Sequence, residues 1–65
     1  MRWRTVKTLY VVARNRSGVE WSVMRYPEKF LAETWANDLT NHTGKDHKVF
    51  KVVERPHLTT ITELV

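Results

Sequence analysis

Residues 27–44 read PEKFLAETWANDLTNHTG, the one stretch of this chain whose apolar residues recur at helical spacing. Leu31, Trp35 and Leu39 stand four apart with Ala32 and Ala36 beside them, so at about 100° per residue they merge into one apolar stripe. Glu33, Asn37 and Thr40 fall on the opposite side and can stay in water. Phe30 lies off the stripe and is expected to close one end of a core. Pro27 suits a first helical turn, where its missing N–H costs nothing, and Glu28 follows where the positive end of the helix dipole favours an anion. Gly44 is the expected left-handed terminator, with Lys45 just beyond it. Thr34 and Thr40 are poor helix formers, so packing of the stripe must supply the remaining stability.

Upstream, residues 5–13, TVKTLYVVA, are largely β-branched or aromatic. Both alternating sets, Leu9, Val11 and Ala13 against Val6, Tyr10 and Val12, are apolar, which suits a central strand. Residues 14–18, RNRSG, carry turn chemistry and are expected to close a hairpin onto residues 19–26, where Val19, Trp21 and Val23 would face the core and Glu20 and Ser22 water. Downstream, residues 49–55, VFKVVER, form a third strand ended by Pro56, with no clear inward face. Residues 57–65, HLTTITELV, favour extended structure without a settled role, and residues 1–4, MRWR, make a short basic arm.

The expected fold is therefore α+β in the order β-β-α-β. The crossover helix makes the third strand parallel to the second, so the simplest sheet puts the first strand between them, order 3-1-2, all pairs antiparallel. One helix covers one face, over a core of Leu9, Val11, Trp21, Val23, Leu31, Trp35, Leu39 and part of the third strand. The other face would stay open, and an apolar, aromatic open face usually marks an interface, with homodimerisation the plainest use.

A chain of 65 residues without Cys is one small domain near the size at which a core holds together without staples, and it has neither disulfides nor a thiolate metal site. The longest apolar run, residues 9–13, is too short for a membrane span or signal-peptide core, and a cytoplasmic protein is expected. The net charge of +4 leans towards a polyanionic partner. Residues 27–44 hold one base and three acids, a net of −2, and the remainder ten bases and four acids, a net of +6.

Candidate chemistry is sparse. Asp38, His42, Asp46 and His47 cluster around the helix end, with Asp38 and His42 at i,i+4 spacing, but polar residues at a solvated helix end account for them, and no metal is expected. Asp46-His47 before a strand is similar to the start of a ββα-metal nuclease site; that site needs a hairpin and a helix after the His, and here one strand and a Pro follow. No Gly-x-Ser-x-Gly elbow, phosphate-binding loop or HExxH helix occurs, and Glu33 and Asp38 lie on the solvent side, so neither an enzyme nor a cofactor is expected. The expected function is a non-catalytic binding module, leaning to nucleic acid through Arg2, Trp3, Arg4, Lys7, Arg14, Arg16, Lys48 and Lys51, with Trp3 or Tyr10 stacking on bases. The alternative is a protein-binding inhibitor or adaptor using the open sheet face or the acidic helix side.

Overall fold

The computed structural model describes residues 5–64. Four strands, β1 (Lys7–Ala13), β2 (Arg25–Tyr26), β3 (Lys48–Arg55) and β4 (Leu58–Leu64), and one helix, α1 (Lys29–Thr43), follow the order β1-β2-α1-β3-β4. They make one antiparallel sheet in the spatial order β2-β1-β3-β4. The expected α+β class and the central place of β1 hold, but the sheet has four strands rather than three. The additional strand comes from the segment after Pro56: Arg55 pairs with Leu58 across the two turn residues Pro56 and His57, and the β-branched run 59–62 continues the ladder along β3.

The expected second strand over residues 19–26 is the largest correction. Asn15 Oδ1 accepts the Gly18 N–H at 2.9 Å and the Ser17 hydroxyl at 2.7 Å, which caps a 3-10 turn over Arg16–Gly18 instead of closing a tight hairpin. Successive backbone bonds, Val19 N–H to Arg16 O, Trp21 N–H to Gly18 O and Ser22 N–H to Val19 O, keep the chain turning until it rejoins β1 through the Val12 N–H to Met24 O bond. Val19 is buried, whereas Ser22 and Met24, not Trp21 and Val23, are the residues turned towards the β1 edge. Residues 19–21 lie in this turn, and Ser22 is the residue that bonds to Val12 O, so Trp21 and Val23 go to solvent.

The helix also departs from its expected stripe. Ala32 and Ala36 are the residues buried against the sheet, Leu31 and Leu39 are half-buried beside them, and Trp35 and Phe30 are exposed. Small side chains let the helix lie close to Val12 and Val49, and their cluster is completed by Tyr10, Met24, Tyr26, Leu39 and Leu64. Pro27 lies one residue outside the helix rather than in its first turn: it follows directly on β2, and extended Glu28 is the N-cap, its carbonyl accepting the Ala32 N–H. Gly44 terminates the helix as expected, at φ 72°, donating its N–H to Thr40 O. The Thr40 hydroxyl donates to Ala36 O at 2.8 Å and accepts the His47 N–H at 3.0 Å, which joins the helix end to the approach to β3.

The helix therefore packs on the Tyr10 and Val12 face of β1, opposite to the expected Leu9 and Val11 face. Val11, Ala13, Phe50 and Val52 on the reverse face are not left open either, because Val19 from the β1–β2 connection packs into them, with Ile61 at the border. Arg25 holds that connection down: its Nη2 donates to Val19 O at 3.0 Å and its Nε to Ser22 O at 3.2 Å. The protein thus has two small cores, one on each face of the sheet.

Candidate functional site

Arg2, Trp3 and Arg4 lie outside the described residues. Of the other sequence candidates, the register sets Ala13 against Lys48, which brings Arg14, just past the end of β1, to the same end of the sheet as Lys48. Arg16 stands in the 3-10 turn, and its Nη1 donates to Ile61 O at 3.4 Å. Lys48 lies 3.6 Å from Glu63 Oε2. Lys7 is at the far end of β1 opposite Glu54, about 20 Å from Ala13 at the usual strand rise. Lys51 is on the helix-side face, in a row with Tyr10 and Thr62, whereas Lys7 and Lys48 occupy the reverse face. The register therefore brings Arg14 and Lys48 to one end of the sheet and separates Lys7 and Lys51 from them, while the Arg16 guanidinium reaches Ile61 O, level with Val52 and Leu9 in the middle of the sheet. Tyr10, expected as a stacking platform, is half-buried in the helix-side core.

The histidine cluster is spread in the same way. Asp38 Oδ1 and His42 Nδ1 are 3.4 Å apart on an exposed helix face, while His47 turns its Nδ1 to Lys45 O at 2.7 Å. Asp46 and His47 belong instead to an open groove of about 420 Å³ between α1 and the β3–β4 hairpin, lined also by Glu33, Asn37, Lys48 and Glu63. Among the described residues, no three His, Asp or Glu side chains stand close enough to hold a metal ion.

Sequence reasoning did not anticipate three exposed apolar side chains. Trp21 is 82% exposed, Val23 92% and Trp35 46%. Glu33, Asn37 and Thr40 face the groove beside β3, so Leu31 and Trp35 lie on the other flank of the helix, whereas Val23 alternates with Met24 and Tyr26 of the helix-side cluster and points to the reverse face. The local signal was present: an Asn followed three residues later by Gly is a capped-turn pattern, and recognising it would have moved the inward set from Trp21 and Val23 to Ser22 and Met24. Among the described residues, no helix is long and apolar enough to cross a membrane. No family model, curated protein or solved structure matches the chain.

Proposed function

We propose that the chain is a small non-catalytic binding module whose target is a protein, docked on the apolar flank of the β1–β2 connection that carries Trp21 and Val23. The observation that carries this reading is the exposure of Trp21 and Val23 in a domain with few large apolar side chains to spare. Exposed aromatic clusters are typical anchors of protein interfaces, where burial of a Trp contributes more than the polar rim around it. Without cysteine, the module suits a reducing compartment such as the cytoplasm. The test is affinity capture with the whole chain and with the Trp21→Ser/Val23→Ser variant. A protein retained by the first and lost from the second, at equal thermal stability of the two, is the expected result; equal retention by both removes the flank from the site.

The nucleic-acid reading keeps one observation in its favour, the placing of Arg14 and Lys48 at one end of the sheet by the pairing of Ala13 with Lys48. Its test is fluorescence anisotropy of labelled single-stranded DNA, duplex DNA and RNA at low and at physiological salt, with the Arg14→Glu/Arg16→Glu variant alongside. Binding that persists at physiological salt and is lost in the variant supports it, whereas binding confined to low salt is ordinary counterion release by a basic surface.

A further inference from the structure

We propose that β4 is a self-association edge, pairing antiparallel with β4 of a second copy about a two-fold axis at Ile61 to give a continuous eight-stranded sheet.

The ladder with β3 determines which backbone groups of β4 are free. Arg55 and Leu58 close a two-residue turn, so theirs is a hydrogen-bonded pair, and the alternation of an antiparallel ladder makes 53 with 60, 51 with 62 and 49 with 64 the others. Thr59, Ile61 and Glu63 therefore point their N–H and C=O groups away from β3. Consistent with this, the Ile61 carbonyl receives the Arg16 guanidinium from outside the ladder. Among the described residues, no further strand lies beside this outer edge. It also lacks the usual guards: β4 contains no Lys, Arg, Pro or Gly, and its register with β3 runs without a bulge.

The choice of a second copy as occupant follows from the residues that a two-fold axis at Ile61 would bring together. Thr59 would face Glu63, Thr60 would face Thr62, and Leu58 would face Leu64, each in both directions, with Ile61 against its own mate. No like charges within β4 meet in this pairing, and the Arg16 guanidinium of each copy, which sits at the Ile61 carbonyl, leaves the axis as the strands pair. Ile61 borders the reverse-face core and Leu64 borders the helix-side core, while Leu58 is exposed in the single chain. The pairing extends both cores across the axis and covers Leu58 with Leu64 of the other copy. Outward groups on Thr59, Ile61 and Glu63 match one another in this register and give six backbone hydrogen bonds, in exchange for the exposed Arg16 bond to each Ile61 carbonyl. The helix lies over β1, β2 and β3 and leaves the β4 edge accessible.

The test is sedimentation equilibrium of the whole chain from micromolar to millimolar concentration. The expected result is a mass rising from 7.7 kDa to twice that value. The exposed pair Thr60 and Thr62 provides the discriminating variants, because Thr60→Lys/Thr62→Lys sets lysines directly opposite each other across the axis and Thr60→Glu/Thr62→Glu does the same with carboxylates. Each variant alone is expected to dimerise about tenfold more weakly or worse, and an equimolar mixture of the two to recover a heterodimer. Circular dichroism confirms that both fold. A monomeric wild type at millimolar concentration overturns the proposal. So does a dimer that both charged variants leave intact, as a dimer through the Trp21 and Val23 flank would be.

Discussion

The Ser22 hydroxyl donates to the Val12 carbonyl oxygen at 2.6 Å, and the same oxygen atom of Ser22 accepts the Met24 N–H at 3.1 Å. This pair of bonds fixes the phase of the chain as it approaches β2, and so decides that Trp21 and Val23 face water. Replacing Ser22 by Ala leaves the partly buried Val12 carbonyl and Met24 N–H short of a partner. The expected loss is about 1–3 kcal/mol of unfolding free energy, measured by urea denaturation. A variant as stable as wild type would mean that water takes over both bonds.

Arg25 carries the second half of that connection. Its two donated bonds, to Val19 O and Ser22 O, hold Val19 over Val11, Phe50 and Val52. Arg25→Met preserves most of the aliphatic stem and removes the donors. We expect a destabilisation of about 1–3 kcal/mol together with faster amide exchange across residues 19–24, read by hydrogen-exchange mass spectrometry or NMR. Unchanged exchange there would show that packing of Val19 alone holds the segment.

Gly44 stands at φ 72° with no atom within 4 Å of where a Cβ would sit. Gly44→Ala should therefore cost only the left-handed conformational penalty, about 1–2 kcal/mol, and Gly44→Asn less, since Asn tolerates this region better. The ordering of the two midpoints in thermal melts checks the point; equal midpoints would mean that the helix end rearranges.

Aromatic truncations should divide sharply by location. Phe50 is 1% exposed in the reverse-face core, so Phe50→Ala is expected to cost about 3–5 kcal/mol, enough to unfold most of a domain this small. Trp21→Ser, at an exposed site, should change stability by no more than about 0.5 kcal/mol. Comparable losses in both variants would place Trp21 in a core after all.

Along a single element, local chemistry was decisive. The helix between Pro27 and Gly44, its left-handed stop, the strand character of residues 7–13 and 48–55, and the central position of β1 were legible because each rests on spacing, capping or the geometry of a crossover. The candidate site was less legible. Arg14 and Lys48 are brought to one end by the pairing of Ala13 with Lys48, a relation between residues 35 positions apart that periodicity does not encode.

What only the tertiary structure decided is which of two apolar surfaces meets which. The sequence by itself determined that β1 has apolar residues on both faces, and that the helix carries Ala32 and Ala36 beside Leu31, Trp35 and Leu39. Both assignments of face to partner satisfy that pattern. Close approach of the helix to Val12 and Val49 selects the alanines and turns Trp35 to the border, while the capped turn at Asn15 brings Val19 onto the other face and leaves Trp21 and Val23 outward. The edge position of β4 has the same origin: residues 58–64 are strand-forming by composition, and pairing along β3 leaves their outer backbone groups free because no further segment of the described chain lies beside them.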